Sequence, residues 1–187
     1  MSRGARICAW LPAVAGASAA TAGVGLAIWA IFGQRRAVVR GASMLPLLGP
    51  GEALLFDRLA YRLGRPARGD VVLVRATAPA TPPVVKLLVG LPGEEMAVAR
   101  DRLWIDGREL DLGRPVVGSS PGRWLLGPDD YFLLSVNLAL GTDSRHGGPV
   151  PGRALLGRGW LVYAPAGRWR RLARPAVPLR WAGDGAS

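Results

Sequence analysis

The sequence predicts a membrane-anchored, all-β domain of about 130 residues, an antiparallel sheet coiled enough to be partly barrel-like. Three observations predict it. Residues Ile7–Phe32 form a run of 26 without a charge. Gly and Pro supply 26 and 16 of the 187 residues, too many breakers for a helical bundle. Beyond Gly33 the pattern changes to short apolar runs between turn signals. Half of the chain is apolar, which suits a packed core and argues against wholesale disorder.

The charge-free run, ICAWLPAVAGASAATAGVGLAIWAIF, would span roughly 39 Å as a helix, against about 30 Å of hydrocarbon. Trp10 and Trp29 lie near its ends, where interfacial aromatics belong. Pro12 sits near its start, where a helix accepts proline. Ala17-Ser18-Ala19 has the form of a cleaved secretory site, but the apolar run continues well past it, which favours a retained anchor. Charge leaves its orientation open: Arg3 and Arg6 precede it, and Arg35, Arg36 and Arg40 follow it.

The rest reads as strands: Ala37–Val39, Glu52–Asp57, Val71–Arg75, Val84–Val89, Met96–Val98, Leu103–Ile105, Tyr131–Ser135 and Trp160–Tyr163. Asp106-Gly107 is a two-residue hairpin signal. Leu91-Pro92-Gly93 and Gly127-Pro128-Asp129-Asp130 are turns. Tyr61–Arg68 has room for a short helical turn at most. The expected boundaries are 1–6 for an N-terminal segment, 7–33 for the anchor, 37–165 for the β domain and 166–187 for a basic, Pro-broken tail. That tail is either a solvated end or a stretch lying on the membrane surface.

The net charge of +11 first suggests a polyanionic partner. Its distribution argues otherwise. Residues 1–51 carry five Arg and no acid, and 165–187 carry five Arg against one Asp. The middle, 52–164, is nearly balanced at 14 bases and 12 acids, a poor footprint for nucleic acid. One Cys and one His exclude a disulfide framework and the usual zinc centres, so no metal or cofactor is expected.

Twenty-three of the 24 bases are Arg and one is Lys. Lys86 stands in the apolar run Val84–Val89, where a buried charge is costly. It either snorkels from an edge strand, or pairs with a carboxylate, or lies buried and neutral as a general base. Arg could do the first two equally well and cannot do the third. Of the eight serines, Ser43 follows Gly41-Ala42 in a turn about ten residues past the apolar span. Such a turn can aim a hydroxyl and a backbone N–H at one point, although a loop serine is the commoner case. A Ser-His-Asp arrangement would need His146 and Asp143, which sit in a Gly-rich segment without the motif context.

Arg40-Gly41-Ala42-Ser43-Met44-Leu45-Pro46-Leu47-Leu48 resembles the Ser-Met-x-Pro-x-Leu box of the type I signal peptidase (leader peptidase) family. Gly51-Glu52, Asp57-Arg58 and Arg68-Gly69-Asp70-Val71-Val72 continue it in order. So do Val85-Lys86-Leu87-Leu88-Val89-Gly90-Leu91-Pro92-Gly93-Glu94, Leu103-Trp104-Ile105-Asp106-Gly107, Tyr131–Leu134, Thr142-Asp143-Ser144-Arg145 and Gly148-Pro149-Val150. The resemblance implies a Ser-Lys dyad endopeptidase with a signal-peptidase-like β domain over 37–165. Ser43 would be the nucleophile and Lys86 the neutral general base. The Ser43 N–H would serve the oxyanion hole, with Gly41 where some members carry a second donor. Met44 would wall the pockets for small side chains. Asn137, Asp143, Ser144 and Arg145 would support the site.

The implied partners are signal peptides of exported preproteins, the lipid bilayer and the secretion machinery, with no nucleic acid. The implied location is the cell membrane, single-pass, N-terminus inside and catalytic domain on the outer face. Four departures stand out. Ser135-Val136-Asn137 replaces the family's Gly-Asp-Asn. Gly141 replaces a lysine-orienting Ser, for which Thr142 or Ser135 could substitute. Leu87 replaces the Arg after the lysine, and His146 replaces a common aromatic. The expectation is an active but divergent peptidase; the alternative is a weakened or inactive relative that binds signal peptides.

Overall fold

A computed structural model describes residues 33–76, 81–117, 120–177 and 179–183. The expected N-terminal segment lies outside these residues, as does the expected anchor except for Gly33. Among the described residues no helix is long and apolar enough to cross a membrane. Two compact units divide the chain, Met1–Gln34 and Arg35–Ser187, and the second holds the folded domain.

That domain is all-β. The strands are β1 (Gln34–Val38), β2 (Ala53–Asp57), β3 (Val71–Val74), β4 (Val84–Gly90), β5 (Glu95–Ala99), β6 (Arg102–Ile105), β7 (Arg108–Asp111), β8 (Gly122–Leu125), β9 (Asp130–Leu134), β10 (Val150–Pro151), β11 (Leu155–Ala164), β12 (Arg170–Arg171) and β13 (Arg180–Trp181). One sheet runs β1-β2-β11-β3-β4-β9-β10, with β12 added on β11; the other runs β13-β7-β6-β5-β8. Each of the eight expected strands overlaps one of these. Two helical turns, Ala60–Leu63 and Ser144–Gly147, interrupt them.

Local chemistry explains the elements. Asp106 and Gly107 both take positive φ, 49° and 76°, as a two-residue hairpin turn demands, and they join β6 to β7. All four residues of β3 are buried, as are six of the seven in β4, so both read as continuous apolar runs without alternation. Three register shifts along β11, and one along β4, bend the first sheet. The core beneath it is filled by Phe56, Phe132, Met44, Leu48 and Leu54, all fully buried.

Five strands escape the sequence reading or are glimpsed only in part: β7, β8, β10, β12 and β13. Four of them offer little pattern. β10, β12 and β13 are two residues each, and β8 buries no residue completely. The basic tail packs back on the body. Arg170 and Arg171 pair with β11, and Arg180 and Trp181 pair with β7. The Trp181 ring lies under Arg108 and Arg68, at 4.6 and 5.6 Å.

Candidate active site

Lys86 is placed by the sheet. β4 lies between β3 and β9, so its flanks are occupied and the lysine has no edge from which to snorkel. Val72 of β3 stands opposite it. The residue is 9% exposed. Its Nζ donates to Ser135 Oγ at 2.8 Å and to the Thr142 carbonyl at 2.7 Å. Burial holds the amine below its ordinary value of 10.5; Asp143 opposes this and Arg145 adds to it.

Ser43 is placed by a loop that the core pins on both sides. Val39 donates to the Glu52 carbonyl and Gly51 to the Val39 carbonyl, each at 2.8 Å, which closes the neck. Met44 and Leu48 sink into the core and leave Ser43 half-buried at the rim. Asn137 N donates to the Ser43 carbonyl at 2.7 Å, tying the loop to the segment that surrounds the lysine.

Ser43 and Lys86 line one open groove of about 670 Å³, together with Gly41, Met44, residues 35–38 of β1 and Val39. β1 and β4 are four places apart in the sheet order, so their meeting at one groove requires the sheet to coil. Ser43 Oγ is not among the partners of Lys86 Nζ.

The other expected residues form a buried support rather than a groove wall. Both side chains of the Asp143–Arg145 pair are 0% exposed. The Asp143 carboxylate accepts from Arg145 Nε at 2.8 Å and from Ser135 N at 2.9 Å. Arg145 donates onward to the Val117 and Leu138 carbonyls. Ser144 Oγ accepts from Leu133 N at 3.0 Å, which ties the helical turn to β9. Asn137 contributes chiefly through its backbone. His146 is half-exposed, with Nδ1 3.9 Å from Asp143 Oδ1, and it does not line the Ser43 groove.

The departures are repacked. Leu87 is buried opposite Leu134, and Val136 packs against the same core, so apolar contacts stand where charges were expected. Ser135, weighed only as a substitute in the sequence, is the residue that holds Lys86. Its signal was the pairing of Ser135 with Gly141, each at a position where the other type is usual.

Comparison with known proteins identifies the family. The pattern of the family "Signal peptidase, peptidase S26" matches residues 8–164. A "Probable signal peptidase I-2" from Synechocystis is 29% identical over 140 residues, covering 70% of this chain and 63% of that protein. The "Mitochondrial ATP-independent inner membrane protease subunit 1a" of Arabidopsis thaliana is 36% identical over 128 residues, 68% of each chain. A "Signal peptidase I" from Leptolyngbya laminosa is 27% identical over 169 residues, 81% of this chain and 82% of that one. A family match over most of the chain, continuous through the groove and its buried support, places this protein in the signal peptidase, peptidase S26 family.

Proposed function

We propose that this protein is a membrane-bound serine endopeptidase that removes signal peptides from exported preproteins, cleaving after small residues. The observation that carries the reading is the setting of Lys86: the chain's one lysine, buried, in the same groove as Ser43. A neutral amine has two N–H groups and one lone pair. Ser135 Oγ and the Thr142 carbonyl take the two donors, which leaves the lone pair for the Ser43 hydroxyl proton.

Ser43 Oγ then attacks the scissile carbonyl, and the Ser43 N–H stabilises the oxyanion beside Gly41. The Lys86 ammonium returns its proton to the leaving amine, and water releases the acyl group with Lys86 again as base. β1 ends its sheet, so an extended peptide can lie along it with Met44 walling its small side chains. In this reading residues 7–33 anchor the chain with its N-terminus inside and the domain on the outer face, near the secretion machinery.

The test is cleavage of a precursor with an A-x-A site by the purified protein in detergent. Ser43→Ala and Lys86→Ala each abolish it, and Lys86→Arg does not restore it. Full activity in Lys86→Arg overturns the neutral-base mechanism. Peptide binding without turnover in the wild type would instead support the inactive, signal-peptide-binding alternative.

A further inference from the structure

We propose that Ser135 is the positioning residue for Lys86, and that it can hold that place only because residue 141 is glycine. The proposal rests on the reading of Lys86 as the general base. Two separate observations carry it.

The first is placement. β9 pairs with β4 through Leu134 opposite Leu87 and Leu133 opposite Leu88. Ser135 directly follows Leu134, the last residue of β9, so continuing that register by one step faces it toward Lys86. Ser135 is 1% exposed, its Oγ accepts from Lys86 Nζ at 2.8 Å, and its N–H is held by the Asp143 carboxylate at 2.9 Å. A hydroxyl fixed at the end of β9 and by a wholly buried carboxylate sets the rotamer of the lysine.

The second is exclusion. A Cβ at residue 141 would lie 1.8 Å from Ser135 Oγ and 2.4 Å from Ser135 Cβ. A side chain at 141 and a hydroxyl at 135 therefore claim the same space, and only one of them fits. That same Cβ would sit 3.4 Å from Ser43 Cβ, an ordinary contact, so the shared space borders the nucleophile. The hydroxyl can enter from either position, and this chain brings it from the residue that follows β9. The charges facing Lys86 are Asp143 and Arg145, which are common to both arrangements.

The test uses the fact that Lys86 is the chain's one lysine. Lysine labelled with ¹³C at Cε gives a single NMR signal in the full-length protein in detergent, and its titration is read without turnover. A hydrogen bond from a charged donor is stronger than one from a neutral donor, so losing the acceptor disfavours the ammonium. Ser135→Ala therefore moves the Lys86 titration to lower pH. In the cleavage assay it lowers kcat roughly 10- to 100-fold with little change in KM. Gly141→Ser alone also impairs cleavage, because two side chains then contend for one space. The double variant Ser135→Gly with Gly141→Ser recovers both the titration and kcat to within about threefold of wild type.

Two results overturn the proposal: a Ser135→Ala protein whose Lys86 titrates as in wild type, or a double variant no better than its worse parent. If wild type and Lys86→Ala prove equally inactive, the peptidase reading falls, and the titration still decides the role of Ser135.

Discussion

The Arg170 guanidinium grips both carboxylate oxygens of Glu52, each at 2.8 Å, across 118 residues of sequence. Glu52 is buried at the neck of the Ser43 loop, where its Oε2 also accepts from Gly49 N at 3.0 Å. The basic tail thus clamps the loop that carries the proposed nucleophile. Arg170 also donates to the Leu47 carbonyl of that loop at 2.8 Å.

Arg170→Ala leaves the buried carboxylate with the Gly49 N–H at 3.0 Å and, as its remaining charge partner among the described residues, Arg168 at 3.6 Å. Breaking a buried pair in this way costs about 3 kcal/mol, the low end of the usual range because Arg170 is partly exposed. Urea unfolding should register the loss. Its pH dependence has a definite sign. The Arg170 hydrogen bonds hold the Glu52 carboxyl below 4.5, with the Gly49 N–H and the nearby Arg168 charge assisting against burial. The stabilisation is therefore full above the unfolded carboxyl range and is lost as pH falls through the folded value. The gap between wild type and Arg170→Ala narrows on acidification; a gap that widens instead would contradict the pairing.

Lys86 titrates with the same sign but for a different reason, burial in place of pairing. Burial, its largest influence, pushes the folded amine below 10.5. The unfolded chain then binds more protons between the lowered value and 10.5, so stability rises with pH across that window. Cleavage rises over the same limb as the amine becomes neutral. Lys86→Met should remove that rise from the stability profile. A wild-type acid limb at the ordinary lysine value would contradict the buried neutral amine.

Arg145→Ala should be among the most damaging single changes. It strips the wholly buried Asp143 carboxylate of its charge partner and leaves the Val117 and Leu138 carbonyls without their donor. Loss of a buried partner of this kind costs about 3–5 kcal/mol. Arg145→Lys should recover little, because one ammonium cannot reproduce the fork that reaches both Asp143 oxygens and the Val117, Leu138 and Gly141 carbonyls. Thermal unfolding of the two variants side by side checks both statements.

Gly69→Ala tests the docking of the tail. Gly69 has φ of 86°, and a Cβ there would stand 2.4 Å from Pro175 Cβ. The Gly69 carbonyl also accepts from Ala176 N at 2.9 Å. Strain and contact together should cost about 1–3 kcal/mol. Displacing the tail should loosen the Trp181 contacts and shift tryptophan fluorescence. An unchanged melting temperature would show that the tail contributes nothing to the fold.

Much of the fold was legible because its signals are local. Val71–Val74 and Val84–Val89 are apolar runs that make strands wherever they fall, and Asp106-Gly107 dictates its own turn. Strands of two residues, such as Arg170–Arg171 and Arg180–Trp181, carry no periodicity. Arg170–Arg171 folds back on Leu161 and Val162 of β11 with no turn signal of its own, and the partners of Arg180–Trp181, Leu110 and Asp111 of β7, are distant in sequence. The tail arginines looked like surplus charge for the same reason: Glu52 and Asp70, the acids that Arg170 and Arg174 meet, lie more than a hundred residues away.

The sequence by itself determined the all-β class, the apolar strand around Lys86, and Ser43 and Lys86 as the candidate nucleophile and base. Composition, alternation and one lysine among 24 bases are properties that need no partner to be read. Only the tertiary structure decided that β4 is an inner strand, that the tail clamps the Ser43 loop, and that Ser135 rather than Thr142 supplies the hydroxyl that Lys86 meets. Those facts depend on register and on which atoms compete for one volume. A Cβ at residue 141 and an Oγ at residue 135 exclude each other across six positions of sequence, and only packing brings them to the same place.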